Sequence, residues 1–449
     1  MSKFENFNIK KNEVLKGSVY LNNSKKNIDK DKYMISNMKH NLSYKYSFEK
    51  NKNANLLGDF KDRFKKYRED WNQQPKNCIE KKILGTEMVK EKIIPLCVDV
   101  EVAAICDLAC PFCYREFIVT PDKIINEKLC YDLIDQAANM GVPSMKFNWR
   151  GEPLLNPKIY DYISHAKKRG ILETIINTNA TNLTETNSKK LIDSGLDLMI
   201  YSFDGGTKKT YEKMRPGRFN ENSFDKVYNN IKNFNKIRDD LGAKFPFTKI
   251  QMILTKDTVN EVNEFYNNFE DIVDNVTVNQ YTERGGDIND LNEEEKSTYK
   301  KILRQNNLPE NTPYMKDIEG NIKIATGREP CKQPFQRLLV TYEGKVAMCC
   351  YDWGASYPVG YTDEKAFNNS SDYKDVVEKI KNKKKGFELL KEAKLSVEYN
   401  KPKKELNDLK KIWTGQEIDK VRSQHLNNQG DKVSICAKCT FKDVYKWKK

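Results

Sequence analysis

The chain has 449 residues, which is enough for two or three domains with a large buried core. Its mean hydropathy is −0.78, and no apolar run approaches the ~20 residues that span a bilayer, which argues against a membrane protein. The net charge of +14 comes mainly from scattered lysines without an arginine-rich, aromatic-interleaved stripe, so nucleic-acid binding is not expected. The polar start of the chain carries no secretory signal, and eleven cysteines are an odd count, so we expect a reducing cytoplasm.

The first 65 residues are rich in lysine and asparagine and show no sustained hydrophobic period. We therefore expect a weakly ordered or accessory leader at 1–65. Aromatic side chains recur at helical spacing over residues 60–71, which predicts a short amphipathic helix. We assign residues 66–95 to this capping helix and its lead-in.

From residue 96 onward, predicted strands alternate with predicted helices. The strands are expected at 96–103, 144–149, 173–178, 196–203, 249–254 and 275–280. Alternation of this kind predicts a parallel α/β sheet, and six βα units predict a partial (β/α)6 barrel of the TIM type. We assign residues 96–300 to this barrel.

Alternate positions of the predicted strands are polar. In the first strand Val98 and Val100 share one face, whereas Asp99 and Glu101 share the other. A strand that is covered by helices on its apolar face then turns its polar face toward the barrel interior. By this pattern, the candidates for substrate contact are Glu101, Lys146, Asn148, Gln251 and Asn279. The alternative for each is a satisfied hydrogen bond within the interior.

Cys106, Cys110 and Cys113 follow the first strand with the spacing C-x3-C-x2-C. Three thiolates so close together can bind three irons of a [4Fe–4S] cluster, which leaves the fourth iron open to a small molecule. Zinc is the alternative, but it usually takes four nitrogen or sulfur ligands, and no histidine lies near this loop. The loop is expected at the carboxyl ends of the strands, where parallel barrels place their chemistry.

The next strand ends in Gly151, Glu152 and Pro153, one βα unit after the cysteines. Together with the cysteine loop, this motif resembles that of the radical S-adenosylmethionine (SAM) superfamily. The second half of the chain resembles the short form of the SPASM domain, called a twitch domain, and the resemblance covers roughly residues 66–449. It implies that the three cysteines bind a [4Fe–4S] cluster whose open iron binds SAM.

The resemblance also implies SAM contacts outside the cysteine loop. Phe112 would lie against the adenine, and the Gly-Glu-Pro motif would contact the SAM amino group, with Arg150 standing where many members have glycine. Further contacts are implied at two later strand ends and at a common arginine of the family, whose role is open. These residues are Thr178, Asn179, Ser202, Asp204 and Arg215.

A second set of cysteines lies in residues 301–449, which we assign to a small α+β twitch/SPASM domain. Its members are Cys331, Cys349, Cys436 and Cys439, and a β-hairpin is expected to turn at Glu343 and Gly344. Four thiolates suit one fully ligated [4Fe–4S] cluster or a zinc ion. The full SPASM pattern continues past this last pair with further cysteines, whereas this sequence has none there, so the resemblance implies one auxiliary cluster rather than two. Cys350 could replace Cys349 as a ligand.

The resemblance implies an oxidoreductase. A flavodoxin- or ferredoxin-type donor would supply an electron, and SAM cleavage would give a 5′-deoxyadenosyl radical that abstracts hydrogen from a small, sugar-derived substrate. The auxiliary cluster would assist the oxidation. The alternatives are a radical epimerase and a peptide-modifying enzyme, and, from a different class, a zinc-binding nucleic-acid or scaffold protein.

Overall fold

The computed structural model describes residues 18–21, 28–113, 115, 122–280, 293–308, 312–316, 321–369, 398–437, 439 and 444–447. The strands are β1 (Ser18–Tyr20), β2 (Cys97–Val100), β3 (Ser144–Lys146), β4 (Glu173–Thr178), β5 (Leu198–Ser202), β6 (Phe247–Leu254), β7 (Asn275–Gln280), β8 (Tyr314–Lys316), β9 (Ile322–Arg328), β10 (Arg337–Val340), β11 (Lys345–Ala347), β12 (Pro358–Tyr361) and β13 (Tyr445–Trp447).

The helices are α1 (Lys30–Ser36), α2 (Leu42–Asn51), α3 (Leu56–Glu80), α4 (Gly85–Lys90), α5 (Glu127–Asn139), α6 (Ile159–Lys168), α7 (Glu185–Asp193), α8 (Lys208–Met214), α9 (Phe224–Asp240), α10 (Val262–Phe269), α11 (Glu293–Gln305), α12 (Glu364–Asn368), α13 (Leu409–Trp413), α14 (Gln416–Leu426) and α15 (Ser434–Ala437). Among the helices that the structure describes, none combines the length and the hydropathy of a membrane-spanning segment.

Six parallel strands, β2 to β7, lie side by side in chain order, and helices separate them along the chain. This confirms the α/β class and the partial barrel. The strand faces also follow the predicted alternation. Val98 and Val100 belong to the main apolar core together with Leu133 of α5, whereas Asp99 and Glu101 are buried with polar partners on the other face.

Helix α5 illustrates how the sequence builds the outer layer. Asn126 caps its first turn, where its side chain accepts a hydrogen bond from the backbone amide of Leu129. Apolar residues then recur every three or four positions, so that Cys130, Leu133 and Ala137 are buried against the sheet. This burial fixes the connection between β2 and β3, the two strands whose ends carry the first cysteines and the Gly-Glu-Pro motif.

Weak order is not what the structure shows for residues 28–65, which form α1, α2 and the first part of α3. Many lysines and asparagines of these helices are exposed, while a few apolar side chains such as Met34, Phe60 and Phe64 are buried. The predicted short helix is one part of the 25-residue α3. Most of residues 1–27 lie outside the described residues.

The amino-terminal helices close the barrel at the end opposite the cysteine loop. Phe60, Phe64 and Tyr67 of α3 pack with residues at the starts of the strands, among them Leu198 and Phe247. The Tyr67 hydroxyl donates a 2.9 Å hydrogen bond to Glu173, the first residue of β4. β1 pairs antiparallel with β7 at the edge of the sheet.

The carboxyl-terminal part continues the barrel sheet. β10 pairs in parallel with β2, and β10 to β12 extend the sheet beyond it. The predicted hairpin between β10 and β11 is present, and Gly344 occupies its turn with φ +94°. A second sheet of three antiparallel strands, in the order β13-β9-β8, lies apart from the ten-stranded sheet.

Candidate active site

The first cysteine set lies in the loop that follows β2. Cys110 is buried, and its backbone carbonyl accepts a 2.9 Å hydrogen bond from the amide of Cys113. Burial raises the pKa of the Cys110 thiol to about 12, although Arg215 opposes the increase. The charge of Cys113 also raises the pKa of Cys110, and the charge of Cys110 raises the pKa of Cys106. A bound cation is therefore needed to hold these sulfurs as thiolates at neutral pH.

Asp107 anchors the cysteine loop to the end of β4. Its carboxylate accepts hydrogen bonds from the Asn179 side-chain amide at 2.7 Å and from the Thr181 hydroxyl at 2.5 Å. Its backbone carbonyl accepts from the amide of Arg218 at 2.8 Å. Sequence reasoning missed this residue, although an acidic side chain between two cysteines was a usable signal.

Gly151 brings the end of the β3 segment against the start of the cysteine loop. Its φ is +45°, and an added Cβ would lie 2.3 Å from the carbonyl oxygen of Ala103 and 2.6 Å from that of Ile105. The next residue, Glu152, donates a 2.8 Å backbone hydrogen bond to Ile105. Only glycine fits this close approach of two backbones.

The Glu152 carboxylate joins the ends of two strands. One oxygen accepts hydrogen bonds from the Thr178 hydroxyl at 2.7 Å and the Leu154 amide at 3.1 Å, and the other accepts from the Asn179 amide at 2.7 Å. Burial, followed by the charge of Asp107, raises the pKa of Glu152 to about 7. The structure therefore brings Glu152, which follows β3, together with Thr178 and Asn179 at the end of β4.

Asp204, Arg215 and Phe112 form a neighbouring cluster. Arg215 donates from Nε to Asp204 at 2.8 Å, and the other Asp204 oxygen accepts from the Ile253 amide at 2.6 Å. The Arg215 guanidinium carbon lies 5.9 Å from the centre of the Phe112 ring. Arg215, whose role the sequence left open, thus links the cysteine loop to the end of β5. Ser202 is half-buried at the end of β5, opposite Gln251.

The candidates for substrate contact differ in how fully they are engaged. Glu101 is fully buried and paired with Arg150, so the prediction that it faces substrate is wrong and the alternative of an interior contact holds. The side-chain oxygen of Asn148 accepts a 2.9 Å hydrogen bond from the backbone amide of Asn177. The Asn279 amide donates to Gln251 at 2.9 Å, and its own side-chain oxygen is buried without a hydrogen bond. Substrate contact by Asn148, Gln251 and Asn279 stays a prediction.

Lysines of the barrel interior add positive charge that the strand pattern had only partly indicated. Lys146 of β3 was among the candidates, whereas Lys249 of β6 was not. Burial, followed by the charges of Lys30 and Lys146, lowers the pKa of Lys249 to about 8. Lys30 itself pairs with Glu173 at 2.5 Å, near the end of the barrel that the amino-terminal helices close.

The second cysteine set surrounds a small cavity in the carboxyl-terminal part. Cys331, Cys349, Cys436 and Cys439 all line it. Cys350 is not in the cavity wall, and its sulfur lies 3.7 Å from the Gln333 side-chain oxygen. Of the two adjacent cysteines, Cys349 therefore faces the other three sulfurs. In the part of the chain that the structure describes, no three His, Cys, Asp or Glu side chains are grouped as ligands of a single ion.

His425 of α14 also lines this cavity and was missed by sequence reasoning. Its side chain is 1% exposed. Nδ1 accepts a 3.4 Å hydrogen bond from the Cys331 backbone amide, and Nε2 lies 3.5 Å from the Cys436 sulfur. No spacing pattern could reveal this contact, because the histidine is far from Cys331 in the chain.

Trp149 and Arg150 connect the two cysteine sites. The Trp149 indole donates a 3.0 Å hydrogen bond to the Cys350 carbonyl, and Arg150 donates to the Trp353 carbonyl at 3.2 Å. The two indole rings lie 6.3 Å apart. The strand end that carries Glu152 therefore contacts the loop that carries Cys349.

The segment that contains the first site matches a known protein family. Residues 100–268 match the model described as the radical SAM superfamily. This match includes Cys106, Cys110, Cys113 and Glu152, together with the strand ends that Glu152 joins. This part of the chain is therefore a radical SAM domain, and the family implies a [4Fe–4S] cluster and SAM as its cofactors.

Three curated proteins are similar in sequence to parts of this chain. The chain is 26% identical over 172 residues to the tungsten-containing aldehyde ferredoxin oxidoreductase cofactor-modifying protein of Pyrococcus furiosus, covering 36% of this chain and 45% of the relative. It is 23% identical over 171 residues to mycofactocin maturase MftC of Mycolicibacterium smegmatis, covering 38% and 41%. It is 31% identical over 107 residues to GTP 3′,8-cyclase of Chlorobaculum tepidum, covering 24% and 32%. The chain thus spans less than half the length of these relatives.

Solved structures also align with the chain at low identity. BtrN in complex with AdoMet and 2-DOIA aligns with a TM-score of 0.40 and 15% identity, covering 77% of this chain and 93% of that one. Streptococcus suis SuiB bound to precursor peptide SuiA aligns with a TM-score of 0.47 and 17% identity, covering 75% and 69%.

Proposed function

We propose that this protein is a radical SAM oxidoreductase that removes hydrogen from a small substrate held inside the barrel. The observation that supports this most is the Glu152 carboxylate, whose three hydrogen bonds join the strand ends beside the cysteine loop. These bonds hold the chain in a fixed arrangement before any cofactor binds. A site that is ordered in advance does not lose binding energy to its own ordering.

The residues at the carboxyl ends of the strands suit the two cofactors of the domain. Cys106, Cys110 and Cys113 would hold the cluster, and the segment Gly151, Glu152 and Pro153 would receive the SAM amino group. When bound, the cluster and SAM supply a 5′-deoxyadenosyl radical that abstracts a hydrogen atom from substrate. Phe112 offers an aromatic face for the adenine, and the charged Arg215 fixes the side chain of Asp204 beside it.

The barrel interior below these residues would hold the substrate. Its polar wall includes Asn148, Gln251 and Asn279, which offer amide donors and acceptors suited to hydroxyl groups. The amino-terminal helices close the far end through Phe64 and Tyr67. A closed end favours a small, polar substrate such as a sugar derivative and limits the access of water to a reactive radical.

Oxidation of such a substrate requires a second acceptor. After one hydrogen atom is removed, loss of a proton and one electron completes a two-electron oxidation. We assign the electron to an auxiliary [4Fe–4S] cluster at Cys331, Cys349, Cys436 and Cys439. A flavodoxin- or ferredoxin-type protein of the reducing cytoplasm would supply the separate electron that SAM cleavage consumes. In this assignment, residues 301–449 are a twitch/SPASM domain that follows a barrel domain over residues 96–300.

Modification of a peptide is the second candidate, and the name of a further relative, PqqA peptide cyclase of Streptomyces rochei, favours it. That relative is 29% identical over 99 residues, which is 22% of this chain. Residues 28–80 pack against the starts of the barrel strands, which favours a role in closing the barrel over a role in presenting a peptide. A radical epimerase would use the same barrel but return a hydrogen atom to the substrate carbon.

Turnover of a sugar-derived substrate in deuterated buffer separates these functions. The proposal predicts an oxidised product, with no deuterium added at the carbon that loses hydrogen. Deuterium at that carbon in an unoxidised product would show an epimerase instead. Modification of a peptide, with no turnover of sugar derivatives, would overturn the small-molecule assignment.

Metal analysis tests the rival of a zinc-binding scaffold. After anaerobic reconstitution, two [4Fe–4S] clusters predict about eight irons per chain. Replacement of Cys106, Cys110 and Cys113 by alanine should leave about four irons, because the auxiliary site is separate. Stoichiometric zinc with little iron would contradict the proposal.

A further inference from the structure

His425 lies at the wall of the auxiliary cysteine cavity and bridges two of its cysteines. Its Nδ1 faces the Cys331 backbone amide, and its Nε2 faces the Cys436 sulfur. Gly430 packs so closely against the ring that a Cβ added to this glycine would lie 2.7 Å from Nδ1. The ring therefore has little freedom to turn. The position of each ring nitrogen is thus set by the packing around it.

The contact at Nδ1 determines which nitrogen carries the proton. A backbone amide can only donate, so Nδ1 must accept through its lone pair and carries no hydrogen. The neutral ring then carries its proton on Nε2, the nitrogen that points toward Cys436. The 3.5 Å separation from the sulfur fits an N–H···S hydrogen bond.

The same reasoning excludes two other roles for His425. As a metal ligand through Nε2, the neutral ring would carry its proton on Nδ1, opposite the Cys331 amide, and two donors would face each other. A doubly protonated ring would create the same conflict. His425 is therefore placed as a hydrogen-bond donor to a cysteine of the site.

We propose that His425 is a positioning residue that donates a hydrogen bond from Nε2 to the Cys436 thiolate and thereby raises the reduction potential of the auxiliary cluster. The inference rests on the proposed function, because it requires an iron–sulfur cluster at these four cysteines. A donor to a ligand sulfur withdraws negative charge from the cluster, which favours the reduced state. An acceptor of electrons from substrate benefits from this shift.

The test measures the auxiliary cluster alone, in the full-length chain with Cys106, Cys110 and Cys113 replaced by alanine. A redox titration followed by electron paramagnetic resonance gives its midpoint potential. His425→Phe keeps a ring but removes the donor, so the midpoint should move to more negative values at an unchanged iron content of about four per chain. His165→Phe is the control, because His165 pairs with Asp135 on the outer helices. The midpoint potential of the auxiliary cluster should not move in this variant.

A second measurement keeps the inference testable if the His425→Phe chain does not fold. The reduced protein labelled with ¹⁵N-histidine should show a weak nitrogen coupling and an exchangeable proton close to the cluster. A strong nitrogen coupling would show direct ligation and overturn the inference. An unchanged midpoint in His425→Phe with about four irons bound would also overturn it, while leaving the auxiliary cluster itself in place. Failure of the unmodified chain to exceed about four irons would instead contradict the proposed function.

Discussion

Arg150 and Glu101 form a buried, bidentate ion pair, in which Nε lies 2.6 Å from one carboxylate oxygen and Nη2 lies 2.9 Å from the other. The pair joins the ends of β2 and β3. Glu101 also accepts a hydrogen bond from the Tyr342 amide, and Arg150 reaches the Trp353 carbonyl. The ion pair therefore ties the strand that carries Glu152 to the hairpin and loop near Cys349.

Removal of one partner should destabilise the protein strongly. Arg150→Met leaves the Glu101 carboxylate buried without its counter-charge, which is expected to lower the free energy of unfolding by about 3–5 kcal/mol. Denaturant unfolding measures the change. The double variant Glu101→Gln with Arg150→Met is the control, and it should recover much of the loss. Equal destabilisation of the single and double variants would show that the loss does not come from an unpaired Glu101 charge.

Gly151→Ala should abolish SAM cleavage. The new Cβ would lie 2.3 Å from the Ala103 carbonyl oxygen, so the end of the β3 segment must move away from the cysteine loop. Formation of 5′-deoxyadenosine measures the effect. Gly242→Ala is a matched control, because Gly242 also has a positive φ, of +62°, but has no atom within 4 Å of the added Cβ. It should cost only about 1–2 kcal/mol in backbone strain and retain activity.

Cys349 and Cys350 should differ sharply in iron binding. Cys349 lines the auxiliary cavity, whereas Cys350 lies outside its wall. Cys349→Ala is therefore expected to reduce the iron content from about eight toward about four per chain, and Cys350→Ala to leave it near eight. Iron analysis after anaerobic reconstitution compares them directly. The reverse result would identify Cys350 as the ligand.

Lys249 should make the stability depend on pH in the alkaline range. Its pKa is lowered to about 8 in the folded protein, mainly by burial, so above pH 8 the unfolded chain binds more protons than the folded one. The free energy of unfolding should then rise from about pH 8 toward the usual lysine range near 10.4.

Lys249→Met should remove this rise and stabilise the protein at pH 7 by on the order of 3 kcal/mol. Denaturant unfolding at several pH values measures both effects. Lys128→Met is the control, because Lys128 is exposed, and it should leave the rise in place. A rise that persists in Lys249→Met would contradict the assignment.

The strands and the first site were predictable because their signals are local. Residues 173–178 and 275–280 were placed correctly by their patterns, and the cysteine spacing marked the loop after β2. The pairing of β10 with β2 was not predictable, since it joins segments far apart in the chain. The amino-terminal helices were missed because only a few apolar residues anchor a largely polar surface.

Partners of individual side chains were the least predictable feature. In the sequence, Arg150 was noted only because it stands where many family members have glycine. In the structure it is buried and pairs with Glu101. That partner could not be predicted, because its position depends on the pairing of β2 with β3. His425 was missed for a similar reason, because its two contacts come from Cys331 and Cys436. Such contacts follow from the packed fold and not from spacing along the chain.

We propose that residues 100–268 bind SAM and cleave it beside the three-cysteine loop. The most direct measurement is the formation of 5′-deoxyadenosine by the anaerobically reconstituted chain with SAM and dithionite. The unmodified chain should form 5′-deoxyadenosine, and the chain with Cys106, Cys110 and Cys113 replaced by alanine should form none. An unmodified chain that binds about eight irons but forms no 5′-deoxyadenosine, or equal formation by the two chains, would contradict this proposal.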